Sequence, residues 1–337
     1  MHLVETKSGV SPTPVSQEDN PQSAVRDPQW PRTIAIVGAG AIGTYYGARL
    51  ALSGREVRLL MRGDLAHVRA HGVRLVEKHG TQLLQPIAAF GTATEVGPVD
   101  LVLVTLKTTA NFELAHLLPP LLHAHTAVVT LQNGLGNEEA IAALVGPERV
   151  LGGLCFIAAT RTAPGEITCG NPGSIDLGEM SGPATDRTRA VAALFSAAGV
   201  RCTADDNLGE ARWRKLAWNV PFNGLAIAAG GLTTDQLLTT PSLAARVRRL
   251  MDEVAAAARA LGYEVTEAFI QRQIDHTPKL GAYRPSSLVD YHAGREVELE
   301  AIWGEPLRRG QAAGVAMPEL SRLYAELRVL AGGPRSK

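Results

Sequence analysis

The sequence predicts an N-terminal doubly wound α/β sheet followed by an all-helical C-terminal region, and three observations carry that expectation. A β-branched run at 33–37 leads directly into Gly38-Ala39-Gly40-Ala41-Ile42-Gly43 and then a segment of helical period. Strand-like and helix-like segments alternate as far as about residue 205, the pattern of a parallel sheet covered on both faces. Past Asp205-Asp206-Asn207 the composition shifts and nearly every segment has helical period. The fold class is therefore α/β, a Rossmann-type domain joined to a helical one. The 337 residues suit roughly two domains of ~100–200 residues each.

In chain order, residues 1–31 are rich in Ser, Pro, Gln and Asp, lack the apolar core of a secretory signal, and are predicted to be a disordered tail. The domain at 32–205 opens with a strand at 33–37, a helix at 44–53 ending at Gly54, and a strand at 56–61, the size of one βαβ unit. A strand at 100–106, a helix at 111–122, a strand at 126–131 and a helix at 138–144 continue the alternation. The stretch 150–202 is expected to supply the remaining strands, with turns at Pro164-Gly165 and Asn171-Pro172-Gly173. The domain at 206–331 is predicted to hold helices at 210–229, 242–261, 266–277, 294–313 and 318–329, with Gly262, Gly314 and Gly332 at C-cap positions.

Charge and composition exclude several classes. Lys plus Arg and Asp plus Glu both number 33, so there is no basic footprint for nucleic acid or an anionic membrane. No apolar run reaches the ~18–20 residues of a membrane span. The three cysteines, Cys155, Cys169 and Cys202, form neither a disulfide framework nor a CxxC pair, which predicts a cytoplasmic protein. Glu298 and Glu300 have no histidine at ligand spacing, and His276 and His292 read as surface or interface residues, so no metal is predicted. A homodimer built on the helical domain is left open, because no apolar stripe specifies it.

The chemistry is concentrated in two places. In Gly38-x-Gly40-x-x-Gly43 the first glycine permits the tight turn, the second admits a pyrophosphate and the third packs helix on strand, so residues 38–43 are predicted to bind a dinucleotide. The following strand ends in Leu59-Leu60-Met61-Arg62 with no carboxylate to hold a ribose 2′-hydroxyl. Arg62 offers a guanidinium fork suited to a 2′-phosphate, which favours NADP(H), although Asp64 lies two residues on. In the helical region Lys215, Asn219 and Asn223 recur at i, i+4 and i+8 on one face of an otherwise apolar helix that contains Pro221. A buried ammonium and two amides need partners or a ligand. A second polar cluster spans Pro285-Ser286-Ser287-Leu288-Val289-Asp290 and Arg295 to Glu300.

Together these residues resemble the ketopantoate reductase (2-dehydropantoate 2-reductase) family over residues 33 to about 330. The resemblance rests on the GAGAIG turn, Arg62, Lys107 in VTLKTTA, Asn133 in LQNG, Lys215, Asn219 and Asn223 in KLAWNVPFN, Ser286 in RPSSLVD, and Glu298 in GREVELEAIWG. It implies a substrate cleft between the domains and reduction of ketopantoate to (R)-pantoate by NADPH. It also implies that Lys215 is the catalytic lysine, that Asn133 and Lys107 lie where cofactor meets cleft, that Asn219, Asn223 and Ser286 position substrate, and that Glu298 holds its hydroxyl. Ser287, Thr233, Pro221 and Trp303-Gly304-Glu305-Pro306 depart from the family pattern near these positions. Reduction of another 2-oxo acid, a β-hydroxyacid dehydrogenase, and a non-catalytic NADP(H) sensor are the alternatives. The bulky Glu210-Ala211-Arg212-Trp213-Arg214 before the lysine counts against the second of these.

Overall fold

Among the described residues ten strands form one sheet: β1 (Thr33–Val37), β2 (Glu56–Leu60), β3 (Val73–Glu77), β4 (Gly80–Leu84), β5 (Ala88–Phe90), β6 (Leu101–Val104), β7 (Ala127–Thr130), β8 (Val150–Ala163), β9 (Glu166–Glu179) and β10 (Arg201–Ala204). The computed structural model describes residues 30–332, so the predicted tail lies outside the described residues except for Trp30 and Pro31. Those two are buried, Trp30 within the core under the sheet, and the chain is therefore anchored before the predicted start at Arg32.

The strand order is β4-β3-β9-β8-β7-β6-β1-β2-β5, with β10 paired to β9. From β5 to β8 every pairing is parallel, and β1, β6 and β7 are almost wholly buried, as continuous apolar runs between two helical layers must be. The chain leaves β1 for β2 on one side while β6 lies on the other. The C-terminal edge of β1 is thus the point where the winding reverses, and a ligand crevice belongs there.

Most predicted elements are present, and the differences have local causes. The predicted helix at 111–122 is broken into a 3-10 turn Thr108–Glu113, a single α-turn Leu114–Leu117 and a 3-10 turn Pro119–Leu121, because Pro119 and Pro120 each lack the N–H a helix needs. In the stretch read as strands, Asp186–Ala197 is a helix, started by a capping box between Thr185 and Thr188. The turn at Pro164-Gly165 does join β8 to β9. Asn171-Pro172-Gly173 does not reverse the chain and lies inside β9, opposite a register shift in β8. Short helices at Thr234–Thr239 and Ser286–His292 were not foreseen.

The helical region is built on a long helix, Leu208–Ala228, whose N-cap Asn207 accepts from the Glu210 amide, and which packs on Pro241–Ala260. The predicted helix at 294–313 begins only at its end: after Gly294, with φ +68°, the chain runs non-helical through Glu298, makes a π-turn at Glu300–Gly304 and becomes α-helical over Glu305–Ala312. Two apolar cores line the two faces of the sheet and a third fills the helical region. Leu135, from the segment after β7, packs into the third core and ties the two regions together.

Candidate active site

The glycine turn carries the marks of an anion cradle. Gly38 has φ +97°, and a Cβ there would lie 2.5 Å from the Leu106 amide nitrogen. A Cβ on Gly43 would lie 2.3 Å from Thr105 Oγ1, which itself donates to the Gly38 carbonyl at 2.7 Å. Folding alone therefore requires these two glycines. Gly40 is different: it is exposed, and a Cβ there would meet nothing closer than 4.0 Å. Packing gives no reason for its glycine, whereas close approach of a ligand to its backbone does. The helix Ala41–Leu52 has no side-chain cap and no acidic residue in its first turn, so the amides of Ala41, Ile42 and Gly43 are left for an anion. With Ala39, the whole segment 38–43 fits a pyrophosphate.

Arg62 follows β2, exposed, and belongs to no ion pair among the described residues. The competing carboxylate, Asp64, is engaged elsewhere: its Oδ2 accepts from Arg161 Nη1 at 3.3 Å and from the Gly165 amide at 3.2 Å. The residue type that suits a 2′-phosphate is available, and the one that suits a 2′-hydroxyl is committed to the β8–β9 turn.

Beside the turn, on the C-terminal edge of the sheet, two lysines are held by different partners. β7 pairs no further along β8 than Gly152. Beyond that point Lys215 Nζ donates to the Cys155 carbonyl at 2.8 Å and to Asn133 Oδ1 at 2.9 Å, and it lies 5.1 Å from the Phe156 ring centroid. Burial lowers its pKa to about 8, and the Arg212 guanidinium adds to the shift against partial relief from Cys155, Glu298 and Asp176. Lys107, just past β6, donates to Asp290 Oδ2 at 2.6 Å and Glu298 Oε2 at 3.4 Å. Burial alone would lower its pKa too, but the two carboxylates outweigh burial and hold it above the ordinary lysine value.

Glu298 is buried and also accepts from the Thr108 amide at 3.0 Å, so it bridges the two halves of the molecule. The non-helical run through Glu298 allows this reach. The π-turn after it leaves the Ala301 carbonyl free to accept from the Leu135 amide at 2.9 Å, beneath Gly134, where a Cβ would lie 2.2 Å from that oxygen. The π-turn and the glycine of the LQNG loop are thus two sides of one contact.

Asn219 and Asn223 share a helix face with Lys215, as the spacing requires, but Asn223 is turned to the protein. Its Nδ2 donates to the Asn219 carbonyl at 3.1 Å and its Oδ1 accepts from the Ser287 amide at 3.0 Å. It therefore seats the first turn of the Ser286–His292 helix. Ser286 is exposed at the start of the helix and Ser287 is buried. The expected residues thus fall into three groups: Lys215 with Asn133, Lys107 with Glu298, and Asn219 with Asn223 and the Ser286 helix. Arg62 and the glycine turn stand apart from these.

Several residues near the site make contacts that the sequence does not predict. Asp290 joins Lys107 to Arg295, whose Nε donates at 2.9 Å. Gln132 Nε2 donates to Leu106 O at 2.9 Å and Asn111 Oδ1 at 2.6 Å, holding the Lys107 and Asn133 loops side by side. Buried Arg212 crosses from the helical region to Glu138 and to the Gln132 carbonyl. Its place one turn before Lys215 was the available signal. Two of the departures, Pro221 and Trp303, meet: the buried Trp303 indole donates at 2.9 Å to the carbonyl of Val220, the residue before the proline.

A glycine turn at the switch point of a parallel sheet, with a part-buried lysine of lowered pKa reaching from the helical domain to Asn133 and Cys155 on the same edge, suits a nicotinamide-dependent oxidoreductase of the two-domain kind. Comparison with known proteins narrows the class. Residues 34–182 match the family model Ketopantoate reductase PanE/ApbA, and residues 207–331 match Ketopantoate reductase PanE/ApbA C terminal. The chain belongs to the ketopantoate reductase family. A 2-dehydropantoate 2-reductase from Nostoc sp. is 37% identical over 310 residues, covering 90% of this chain and 97% of its own. The crystal structure of 2-dehydropantoate 2-reductase from Geobacter metallireducens GS-15 is 40% identical, with a TM-score of 0.85 over 88% of this chain and 99% of that one. A ternary structure of D-mandelate dehydrogenase with NADH and anilino(oxo)acetate is 25% identical, with a TM-score of 0.82 over 89% of this chain and 98% of that one. Among the described residues no helix is long and apolar enough to cross a membrane.

Proposed function

We propose that this protein reduces 2-dehydropantoate (ketopantoate) to (R)-pantoate with NADPH, a step toward pantothenate. The observation that carries the reading is Lys215, held between Asn133 and the Cys155 carbonyl at the mouth of the crevice, with its pKa lowered to about 8. Family membership and 37–40% identity to 2-dehydropantoate 2-reductases support the substrate. Segment 38–43 and Arg62 are suited to hold NADPH, which when bound supplies a hydride.

The remaining chemistry belongs to the chain. As negative charge develops on the ketone oxygen, Lys215 Nζ stabilises it and donates the proton as general acid. Asn133 Oδ1, accepting from that ammonium, fixes the direction in which the proton is presented. Asn219 and Ser286 offer neutral donors to the substrate carboxylate, and Asn223 keeps the Ser286 helix in place. Glu298, already accepting from Thr108 and Lys107, retains lone pairs for a hydroxyl remote from the ketone. The unpaired, buried thiols of Cys155 and Cys169 support a reducing, cytoplasmic setting.

The test is nicotinamide oxidation with ketopantoate, repeated with NADH, with a panel of 2-oxo acids, and in an Arg62→Ala variant. Turnover favouring ketopantoate and NADPH is the expected result, and Arg62→Ala should raise the KM for NADPH by about 10- to 100-fold while leaving that for NADH nearly unchanged. Turnover confined to another 2-oxo acid would reassign the substrate and keep the reaction. NADPH binding without turnover on any acid would mean a sensor.

A further inference from the structure

Phe156 is an aromatic side chain with no place in the fold's packing. It is 45% exposed and belongs to none of the three apolar cores, although its neighbours Cys155 and Ile157 pack into the core under the sheet. Strand alternation puts its ring on the opposite face, toward the helical region, where its centroid lies 5.1 Å from Lys215 Nζ. That is within the range at which a ring face attracts a cation.

The backbone is shaped to put it there. Phe156 pairs with Ser174, and the register between β8 and β9 shifts between Phe156 and Ala158. On the facing strand Gly173 has φ +58°, its amide donates to Asn171 Oδ1 at 3.0 Å, and a Cβ on it would fall 1.4 Å from the Phe156 carbonyl oxygen. Only glycine fits at that position. Irregularities of this kind re-aim side chains beside active sites. The Asn171-Pro172-Gly173 sequence, which reads as a turn, is the device that holds Phe156 over the lysine.

We propose that Phe156 determines specificity in this reaction, its ring forming the apolar wall against which the branched carbon next to the ketone of a 2-oxo acid packs. The inference rests on the function proposed above. A ketone oxygen within hydrogen-bond reach of Lys215, at about 2.9 Å, has its neighbouring C3 only two bonds away. In ketopantoate that carbon bears two methyl groups, which then meet the ring. The same ring face favours the charged ammonium and so works against the burial that lowers the Lys215 pKa.

The experiment compares the wild type with Phe156→Ala and Phe156→Leu on ketopantoate and on 2-oxo-4-hydroxybutanoate, which lacks the methyls. Phe156→Ala should raise the KM for ketopantoate about tenfold and change that for the methyl-free acid less than about twofold. Phe156→Leu should restore most of the discrimination by supplying apolar bulk. In Phe156→Leu, which keeps apolar cover over the lysine but loses the ring face, the alkaline limb of the kcat/KM profile should move to lower pH, a change that a merely structural role would not produce. Equal losses on the two acids, or none, with a wild type active on ketopantoate, would overturn the Phe156 assignment alone. A wild type active on neither acid would overturn the functional reading and this proposal with it.

Discussion

Two lysines stand at the C-terminal edge of the sheet and are treated in opposite ways. Lys215 donates to neutral oxygens, Asn133 Oδ1 and the Cys155 carbonyl, and burial lowers its pKa to about 8. Lys107 donates to two carboxylates, Asp290 and Glu298, and its pKa is raised. Lys215 is the more deeply buried and touches only neutral oxygens, whereas Lys107 is more exposed and touches two carboxylates, so exposure and partner charge act in the same direction. A lysine among neutral acceptors can release its proton near neutrality, whereas one between carboxylates is a fixed positive charge. Pushing two like groups apart in this way assigns them different work. In the proposed reaction Lys215 gives the proton, and Lys107 fastens the sheet domain to the helical domain.

The largest test of the contrast is Lys215→Met. We expect kcat with ketopantoate to fall by about 10²–10⁴-fold while the Kd for NADPH, read by nicotinamide fluorescence, stays within about threefold. In the unaltered protein the active form is the protonated lysine. The limb assigned to Lys215 should therefore hold kcat/KM level below its pKa and make it fall as pH rises through about 8. Lys107, with its pKa raised, should contribute no limb there.

Glu298→Gln comes next in size. It removes one of the charges on Lys107, exchanges one acceptor oxygen of the proposed substrate contact for a donor, and removes a carboxylate that partly offsets the lowering at Lys215. The KM for ketopantoate should rise about 10- to 100-fold, and the alkaline limb should move down rather than up. A limb that does not move would break the electrical link between the two lysines.

Asp290→Asn is the mildest. Lys107 keeps Glu298, and ion pairs whose lysine is still part-exposed are worth little, so the KM should rise only about three- to tenfold. The alkaline limb should move less than in Glu298→Gln, because Glu298, and not Asp290, is among the main groups that shift Lys215. A loss as large as that of Glu298→Gln would mean that Asp290 itself meets the substrate.

The legibility of these features follows their range. The glycine turn, the strand before it and the helix after it are contiguous, so β1 and Ala41–Leu52 could be read directly, as could the common face of Lys215, Asn219 and Asn223. Where the local signal was contradictory the reading failed. Residues 111–122 have apolar helical spacing but carry Pro119-Pro120, and 294–313 has helical spacing but gives way to the contact between Glu298 and Thr108. The turn chemistry of Asn171-Pro172-Gly173 was real, yet its use inside a strand depends on the β8 carbonyl lying opposite.

The sequence by itself determined an alternating α/β part followed by a helical part, the glycine turn between strand and helix, and the common face of Lys215, Asn219 and Asn223, because each is written in the periodicity of neighbouring residues. Only the tertiary structure decided what each group touches. Lys107 and Asp290 are 183 residues apart, Thr108 and Glu298 are 190 apart, and Lys215 reaches back 82 residues to Asn133. Partner and burial set the charge state of a lysine, and both are properties of distant segments brought together by packing. For that reason the sequence could name the two lysines, and only the fold could set their charge states apart.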